Sequence, residues 1–437
     1  MEQDYGIFAA DEWGPEKVLS VYDPDTGMKG VLVIDNTAAG PGKGGIRFSE
    51  KTNVQEVFRL ARTMTWKCAA AGLPFGGAKA GIVGNPAAVD RVGWVKSFAK
   101  MIRPYCPLQY IAATDIGTTE LDMAIFAHEI GDMRACTGKP QELGGIPHEL
   151  GTTGYGVAVA LDSTMDALDN TQPRPPRSSA GPAKLDKRSA TVSIQGFGNV
   201  GSFTAKFLHM RGYRVIAISD ISGMIHDPGG IDVPRLMMDM RGKDTIADLK
   251  REEGRGGRSG SKYNIKNKEE IFEIDSDIFI PAAVSDSVND RTAKKLLEHG
   301  TRVIVEAANI PTSPSADRYL YENGVLIVPD FIANAGGVIG SFVEYKGGTE
   351  KDAFDLIAYK ISRNVKRVLA RSIMEEHARE GDENGNNGGG GDDDKTPREV
   401  AMEIAKQRVH RAMLLRKGAL AIAREAFARK DTFEAIA

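Results

Sequence analysis

The chain has 437 residues, 41% of them hydrophobic and 26% charged, a composition typical of a folded protein with two or three domains. The 56 basic and 59 acidic residues leave a formal net charge of -3, which gives no overall field that would attract nucleic acid or anionic lipid. No run of about 18 apolar residues is present, and the N-terminal MEQDYG has acidic residues where a signal peptide has Lys or Arg. We therefore expect a cytoplasmic protein with no nucleic-acid partner and no membrane partner.

The cysteines are too few and too scattered to build a disulfide framework or a CxxC metal site. They stand at Cys68, Cys106 and Cys136. This usage fits a reducing compartment, and no metal site is expected.

The first 150 residues combine short strands with amphipathic helices and predict an α/β domain over residues 1–150. Apolar runs at 31–35 (VLVID) and 108–113 (LQYIAA) predict strands. Apolar residues recur at helical spacing after Asn53, which predicts a helix with Asn53 and Glu56 as the two members of a capping box.

From residue 151 to 330 the pattern changes to short apolar strands that alternate with helices. The strands TVSIQ, RVIAIS, DIFIPA, RVIVEA and VLIV are nearly continuous apolar runs, which indicates a doubly wound parallel sheet with helices on both faces. Residues 331–437 are predicted to be helical apart from a flexible Gly-rich insert at 381–395. Two further segments, 172–182 and 251–261, are predicted to be solvated loops.

The segment TVSIQGFGNVG predicts a dinucleotide site. Gly196, Gly198 and Gly201 have GxGxxG spacing directly after a strand and at the start of a helix, where backbone N–H groups can hold a pyrophosphate. Asn199 and Val200 lie within the same motif, and Asp220 ends the next strand, where a carboxylate can bind an adenosine ribose. Ordinary turn glycines are the alternative. No Arg or Lys follows within SDISGMIH, so NAD is slightly favoured over NADP.

Three lysines stand in glycine-flanked or apolar surroundings: Lys43, Lys67 and Lys79. Each alone is most simply an exposed lysine with its ammonium in water. Together they suggest a cationic pocket for a small polyanion, in which repulsion between like charges lowers the proton affinity of one lysine.

Asp115 follows an apolar strand in IAATDIGT, a position where catalytic groups of α/β sheets often lie. The residue could equally be the N-cap of a helix that begins at Glu120. The residues alone leave both interpretations open.

LPFGGAKAGIVGNP closely resembles the active-site signature of the glutamate, leucine, phenylalanine and valine dehydrogenase family, and the spacing of the three lysines resembles that of its glutamate dehydrogenases. The resemblance covers nearly the whole chain. It includes MTWK, TDIGT, TGYG, QGFGNVG, VEAAN and NAGGVIGSFVEY. Two positions depart from the family pattern: Glu149 replaces a usual Arg, and Ala80 replaces a common Gly.

The resemblance implies a role for each matched residue. Lys79 would be the catalytic lysine, Asp115 the general acid/base and Lys67 the ligand of the substrate α-carboxylate. Lys43 and Ser341 would hold the side-chain carboxylate of glutamate. Thr153, Asn309 and Asn334 would lie at the cofactor, with Asn334 near the nicotinamide and the substrate.

The resemblance also implies an assembly and a reaction. The first domain would bind substrate and mediate assembly, residues 151–330 would bind NAD or NADP, and residues 331–437 would pack back on the first domain in a homohexamer. L-glutamate would be converted reversibly to 2-oxoglutarate and ammonium, as in amino-acid and nitrogen metabolism. Lys79, kept partly neutral by its lysine neighbours, would activate the water that attacks the imine.

The sequence is compatible with two other functions. The same chemistry could act on an apolar amino acid, against which Lys43 and Ser341 argue. The chain could instead be a dinucleotide-binding regulatory protein without turnover, against which the presence of both Lys79 and Asp115 argues.

Overall fold

The structure, a computed structural model, describes residues 10–147, 150–170, 185–251, 263–380 and 395–418. These residues form two compact units. The first takes its described residues from Met1–Pro147, Ser341–Thr349 and Met402–Ala437, and the second from His148–Gly340 and Glu350–Ala401. Glu149, the segment 172–182 and nearly all of 251–261 and 381–395 lie outside the described residues.

A six-stranded sheet organises the first unit. Its strands are β1 (Lys17–Tyr22), β2 (Lys29–Asn36), β3 (Gly42–Lys43), β4 (Ile46–Phe48), β5 (Gly76–Ile82) and β6 (Tyr110–Ile111). The strand order is β1-β2-β5-β3-β6, with β4 also paired to β5. β5 is antiparallel to β2 and parallel to β3 and β4, so the strand that carries Lys79 is inside the sheet.

Helices cover both faces of this sheet. They are α1 (Val54–Ala70), α2 (Arg91–Ile102) and α3 (Glu120–Ile130), with short 3-10 turns at Arg103–Tyr105, Met133–Ala135 and Gln141–Leu143. Val31 and Val33 of β2 pack on α1, whereas Leu32 and Ile34 belong to the core formed with α2 and α3. Because Lys79 is paired with Val33, Lys79 lies on the α1 face of the sheet.

The start of α1 agrees with the predicted cap, but only in part. Asn53 Oδ1 accepts a hydrogen bond of 2.9 Å from the Glu56 N–H, as an N-cap should. The Glu56 carboxylate pairs with the Arg47 guanidinium and is not the second half of a capping box. A cation brought close by the neighbouring strand β4 is a stronger partner for the carboxylate than a backbone N–H.

A seven-stranded sheet forms the centre of the second unit, in the order β10-β9-β8-β7-β11-β12-β13. The strands are β7 (Thr191–Gln195), β8 (Arg214–Ser219), β9 (Met224–His226), β10 (Ile265–Lys266), β11 (Ile278–Pro281), β12 (Val303–Val305) and β13 (Leu326–Val328). β8, β7, β11, β12 and β13 are parallel, and β9 and β10 form an antiparallel edge. The prediction of a doubly wound parallel sheet is confirmed.

The helices of the second unit are α4 (Thr152–Asn170), α5 (Asn199–Met210), α6 (Val233–Asp239), α7 (Asp248–Arg251), α8 (Asp290–Glu298), α9 (Pro314–Glu322) and α10 (Asp330–Ala333). A 3-10 helix covers Lys268–Glu273. Three further helices follow: α11 (Gly336–Tyr345), α12 (Glu350–Glu380) and α13 (Pro397–Lys417).

The C-terminal helices divide between the two units. α12 packs on α4, with the rings of Tyr155 and Phe354 4.7 Å apart, so this helix belongs to the second unit and not to the first domain. The later part of α13 returns to the first unit, where Arg408 Nη1 donates to the carbonyl oxygens of Ala69 and Ala70. No helix of the described residues is both long enough and apolar enough to cross a membrane.

Candidate active site

Glycines allow the chain around β5 to pack closely enough to form a site. Gly44 and Gly45 connect β3 to β4. A Cβ on Gly44 would lie 1.7 Å from the Ala78 carbonyl oxygen, and one on Gly45 would lie 2.9 Å from the Asp115 Cβ. Only glycine permits such an approach. The glycines therefore bring the segment that contains Asp115 next to β5.

Lys79 and Asp115 form the central pair of the site. The Lys79 ammonium contacts the Asp115 carboxylate, and their side chains are only 10% and 15% exposed. Arg47 Nη2 lies 3.6 Å from Asp115 Oδ1, and the Ile116 N–H donates to the same oxygen over 2.7 Å. Burial opposes ionisation of Asp115, but the charge and hydrogen bond of Lys79, the Ile116 N–H and the Arg47 charge outweigh burial and lower the pKa of Asp115. Asp115 is thus a carboxylate at neutral pH.

Asp115 is not the cap of the helix that follows it. The N-cap of α3 is Thr119, which forms a complete capping box with Asp122. Asp122 is also paired with Arg91. The helix has its own cap, so the interpretation of Asp115 as a helix N-cap is wrong.

Lys43 lies on the same face of the sheet as Lys79. It is opposite Gly77 in the pairing of β3 with β5, two residues before Lys79 along that strand. Its Nζ donates to the Ala112 carbonyl oxygen over 2.7 Å and to Thr137 Oγ1 over 2.8 Å. Burial lowers the pKa of Lys43 to about 8. An ammonium has three N–H donors, so one remains for a ligand.

Lys67 lies in the last turn of α1, which packs on β5. The next residue, Cys68, is fully buried. Burial raises the pKa of the Cys68 thiol to about 12, and the charges of Lys43 and Lys67 oppose that rise. Both ammonium groups are thus close enough to the Cys68 thiol to influence it electrostatically. The structure thus gathers all three lysines on the α1 face of the sheet.

Lys139 and Glu344 form a buried ion pair close to Lys43. Glu344, on α11, accepts from Lys139 Nζ over 2.5 Å with one carboxylate oxygen. Its other oxygen accepts from the N–H groups of Gly138 and Ile146 over 2.9 and 3.2 Å. Glu344 therefore fixes the segment 138–146 through its backbone as well as through a charge.

Ser341 lies on the same helix as Glu344. It precedes Glu344 by three residues on α11, so the two side chains lie on the same side of the helix. Thr137, which accepts the hydrogen bond from Lys43, directly precedes the residues that Glu344 holds. The Lys43 ammonium is thus fixed next to the segment 138–146.

The glycine motif of the second unit has the geometry that an anion site needs. A Cβ on Gly201 would lie 1.9 Å from the Gly196 carbonyl oxygen, whereas one on Gly198 would have open space around it. Gly196 has a φ of +102°, which favours glycine. No side chain of the described residues caps α5, so the N–H groups of Asn199 and Val200 are available as donors to an anion. These residues fit a pyrophosphate.

Asp220 follows β8 at the predicted position, but its carboxylate is already well occupied. Oδ1 accepts from the Ser222 N–H and Oγ, each over 2.7 Å, and from the Gly223 N–H over 3.1 Å. Oδ2 accepts from the Ile246 N–H over 2.5 Å. A carboxylate offers about four acceptor positions. Asp220 therefore closes two loops of the second unit.

The predicted cofactor residues Asn309 and Asn334 touch each other. Asn334 Nδ2 donates to Asn309 Oδ1 over 3.1 Å and to the Ala307 carbonyl oxygen over 3.2 Å. Asn334 Oδ1 is buried without a hydrogen-bond partner in the described residues. A buried acceptor without a donor is costly, so this oxygen is suited to a donor on a ligand.

Thr153 lies in the first turn of α4, next to the start of α11. A Cβ on Gly337 would lie 2.8 Å from Thr153 Oγ1, and one on Gly336 would lie 2.0 Å from the Thr152 carbonyl oxygen. The two glycines thus allow the helices to approach closely. Thr153 is consequently near the chain segment that begins with Asn334.

Several residues of the site have no signal in the sequence. Thr137 accepts a hydrogen bond from Lys43, Lys139 and Glu344 fix the segment that follows Thr137, and Arg47 supports Asp115. Each acts through a contact with a residue distant in the chain, and none belongs to a local pattern that indicates its partner. No cluster of three or more His, Cys, Asp or Glu side chains that could hold a metal ion occurs in the part of the chain that the structure describes.

Comparison with known proteins identifies relatives over most of the chain. The family model described as Glutamate/Leucine/Phenylalanine/Valine dehydrogenase matches residues 144–417, and the model described as Glu/Leu/Phe/Val dehydrogenase, dimerisation domain, matches residues 15–132. NADP-specific glutamate dehydrogenase from Saccharolobus shibatae is 34% identical over 430 residues, which cover 92% of this chain and 90% of that protein.

Two further proteins are similar over much of the chain. NAD-specific glutamate dehydrogenase from Staphylococcus aureus is 36% identical over 323 residues, which cover 71% of this chain and 70% of that protein. The crystal structure of glutamate dehydrogenase from Peptoniphilus asaccharolyticus superposes with a TM-score of 0.72 at 26% identity, and the match covers 92% of each chain.

Proposed function

Because the chain belongs to the Glu/Leu/Phe/Val dehydrogenase family, we propose that it is an NAD(P)-dependent glutamate dehydrogenase, an oxidoreductase that acts on a CH–NH2 group. Glutamate, oxidised cofactor and water give 2-oxoglutarate, ammonium, reduced cofactor and a proton, and the reaction is reversible. Relatives that are 34% and 36% identical bear the name glutamate dehydrogenase, one NADP-specific and one NAD-specific. When bound, the nicotinamide accepts a hydride from the substrate α-carbon.

The pairing of Lys79 with Asp115 is the observation that carries the proposal. A lysine and a carboxylate in contact, both largely buried, can exchange a proton without help from solvent. The further cations Lys43 and Lys67 lie on the same face of the sheet. A site with a proton-transfer pair and an excess of positive charge suits a substrate with two carboxylates.

Asp115 and Lys79 move protons at different atoms of the substrate. Asp115, a carboxylate at neutral pH, takes a proton from the substrate ammonium, because only a neutral amine can release a hydride from its carbon. Asp115 releases that proton to solvent and then accepts a proton from Lys79, which, once neutral, removes a proton from the water that attacks the imine. As a cation again, Lys79 stabilises the oxygen of the carbinolamine, and Asp115 returns a proton to the departing ammonia.

The other two lysines bind the carboxylates. Lys67 holds the α-carboxylate, and Lys43 uses its remaining N–H donor for the side-chain carboxylate together with the Ser341 hydroxyl. The hydrogen bonds from Lys43 to Ala112 and Thr137 support this role, because they fix the ammonium before substrate binds and so reduce the entropy lost on binding.

The second unit binds the cofactor. Gly196, Gly198, Asn199, Val200 and Gly201 hold the pyrophosphate at the start of α5. Thr153, Asn309 and Asn334 lie at the nicotinamide end, where the unpaired Asn334 Oδ1 is suited to the carboxamide N–H. Asp220 lies near the adenosine ribose, where its carboxylate holds two loops together. The cofactor is NAD or NADP, with a slight preference for NAD.

The working form is a homohexamer in the cytoplasm. A family model described as a dimerisation domain matches residues 15–132, which supports self-association. The three free thiols, Cys68, Cys106 and Cys136, support a reducing compartment. Static light scattering on purified protein measures the oligomer mass directly, and a mass below six chains would contradict this assembly.

A single set of assays tests the activity. The purified protein is incubated with L-glutamate, L-leucine or L-norvaline and with NAD or NADP, and absorbance of the reduced cofactor is followed. We expect turnover with glutamate to exceed that with the apolar amino acids. A preference for leucine would assign an apolar substrate, and binding of cofactor with no turnover of any of the three would favour the regulatory alternative.

Lys79→Ala distinguishes catalysis from structure. We expect the variant to bind cofactor like the wild type and to lose turnover by about 100-fold to 10,000-fold, the range for a positioned acid or base. The exposed Lys351, which is paired with Asp355 on the surface, provides the matched control Lys351→Ala, which should keep full activity. Retention of more than about a tenth of the wild-type rate by Lys79→Ala would make Lys79 a structural lysine.

A further inference from the structure

A partly buried arginine in the second unit contacts three buried carboxylates. Arg398, in the first turn of α13, contacts Glu306 through Nη2, Asp317 through Nε over 3.0 Å, and Asp330 through Nη1 over 3.2 Å. The three acidic side chains are no more than 6% exposed. The planar guanidinium presents donors in several fixed directions, so one residue joins three different elements.

Two of these carboxylates also hold the turn that follows β12. Glu306 Oε2 accepts from the Asp330 N–H over 2.8 Å, and Asp330 Oδ2 accepts from the Ile310 N–H over 2.9 Å. Ile310 has a φ of +48°, a conformation that costs a β-branched residue free energy. The hydrogen bonds that Glu306 and Asp330 accept stabilise this conformation of the turn.

The same network orients the two asparagines that the proposed function assigns to the nicotinamide end of the cofactor. The Asn334 N–H donates to the Asp330 carbonyl oxygen over 2.8 Å. The Asn334 side chain donates to Asn309, which lies within the turn. Asp330 thus connects Arg398 to Asn334 through its backbone and to Ile310, the residue after Asn309, through its carboxylate.

We propose that Arg398 is a positioning residue for the nicotinamide end of the cofactor, acting through Glu306 and Asp330 on the turn 307–310 and on Asn334. It does not touch the cofactor. The proposal rests on the proposed function for the identity of the ligand at Asn309 and Asn334. Hydride transfer depends strongly on the placement of the nicotinamide, because an error of 1 Å at a reacting centre can reduce a rate about 100-fold.

The test compares two arginines that connect the same pair of helices. Arg398 joins α13 to Asp317 of α9, and Arg318 of α9 joins Glu399 of α13 over 2.7 Å on the surface. Arg398→Gln and the control Arg318→Gln are compared with the wild type. Binding of NADH is measured by its fluorescence, and binding of ADP-ribose, which lacks the nicotinamide, is measured by competition. The kcat for glutamate is measured with saturating NAD.

We expect Arg398→Gln to weaken NADH binding several-fold more than ADP-ribose binding and to lower kcat about 100-fold, and we expect Arg318→Gln to change neither. A loss of general folding would weaken both ligands equally. An unchanged ratio of the two dissociation constants together with an unchanged kcat in Arg398→Gln would overturn the proposal.

The proposal can still be tested if Arg398→Gln does not fold or if the wild type does not oxidise glutamate. Should Arg398→Gln fail to fold, Asp330→Asn gives the same comparison, because it removes the charge that Arg398 contacts and keeps an oxygen for the Ile310 N–H. Should the wild type not oxidise glutamate, the proposed function fails. The ratio of NADH to ADP-ribose affinity then still tests Arg398, because that ratio requires no amino-acid substrate.

Discussion

Lys139 and Glu344 lie 205 positions apart in the chain, and their side chains form an ion pair of 2.5 Å in which the lysine is 5% exposed and the glutamate 2%. The same carboxylate accepts backbone N–H groups from Gly138 and Ile146. A buried charge is tolerated only when such partners replace its water. The pair therefore fixes the segment that directly follows Thr137, the hydrogen-bond partner of Lys43.

Glu344→Gln should destabilise the protein strongly. The substitution leaves the Lys139 ammonium buried without a charge partner, and removal of one member of a buried pair costs about 3–5 kcal/mol. The double variant Lys139→Met with Glu344→Gln should recover part of that loss, because no unpaired charge remains. Urea unfolding of the two single variants and the double variant measures the coupling free energy. Strict additivity of the single losses would show that the two residues act independently.

Asp115→Asn keeps the shape of the side chain and removes the group that titrates. We expect a rate lower by about 100-fold or more with little change in the thermal stability of α3, because Thr119 caps that helix. Thr119→Ala is the matched control, and it should cost about 1 kcal/mol of stability without a comparable loss of rate. If Asp115→Asn lowered the melting temperature while retaining its rate when folded, Asp115 would be a structural residue.

The local features of the fold could be predicted from the sequence, because each depends on neighbouring residues. The GxGxxG turn at Gly196 and the cap at Asn53 are examples. The partner of Glu56 could not be predicted, because Arg47 approaches only when β4 pairs with β5. For the same reason the sequence left Asp115 ambiguous, and only the complete capping box of Thr119 in the structure removes one interpretation.

The candidate site likewise contains residues that could be predicted from the sequence and residues that could not. Lys79, Lys67 and Lys43 stand out in the sequence because charged residues among glycines and apolar residues are unusual. Glu344 and Arg398 do not stand out, since a charged residue on a helix is ordinary until its burial is known. Resemblance to a family supplied roles for matched positions, but the buried partners that hold those positions became visible only in three dimensions.

Asp220→Ser tests whether Asp220 binds the adenosine ribose or holds two loops together. If its carboxylate binds the adenosine ribose, the variant should lose affinity for NAD and gain relative affinity for NADP, whose phosphate a carboxylate repels. The four hydrogen bonds from Ser222, Gly223 and Ile246 favour a structural role for Asp220 instead. We expect affinity for both cofactors to fall together, because the variant loosens two loops and leaves their ratio within about threefold of the wild type.

The measurement is the dissociation constant of NADH and of NADPH for each protein. Asp227, whose Oδ1 accepts the Gly229 N–H over 2.9 Å in a turn after β9, gives the control Asp227→Ser, which removes a comparable loop contact next to the same sheet. A large shift in the ratio toward NADPH in Asp220→Ser alone would make Asp220 a ribose ligand that selects NAD.

Lys43 gives the sharpest test of substrate choice. Lys43→Leu combined with Ser341→Val removes both groups proposed to hold the side-chain carboxylate and leaves an apolar surface. A buried carboxylate without a partner loses its water and gains nothing in return, and sites that bind a polar substrate group discriminate on the order of 10,000-fold against misfits. In kcat/KM, glutamate should therefore lose most of its advantage over norvaline, while Lys67, Lys79 and Asp115 still support the reaction.

The wild type should show the same dependence on the charge of Lys43 when pH is varied. Burial lowers the pKa of Lys43 to about 8, so the ammonium is charged below that pH and loses its proton as pH rises through it. The KM for glutamate should therefore increase above about pH 8, and the KM for norvaline, which has no side-chain carboxylate, should not. The ratio of the two KM values cancels the effects of pH on the steps that both substrates share. A ratio that stays constant from pH 7 to pH 9, or a double variant that keeps the wild-type preference for glutamate, would place Lys43 outside the specificity pocket.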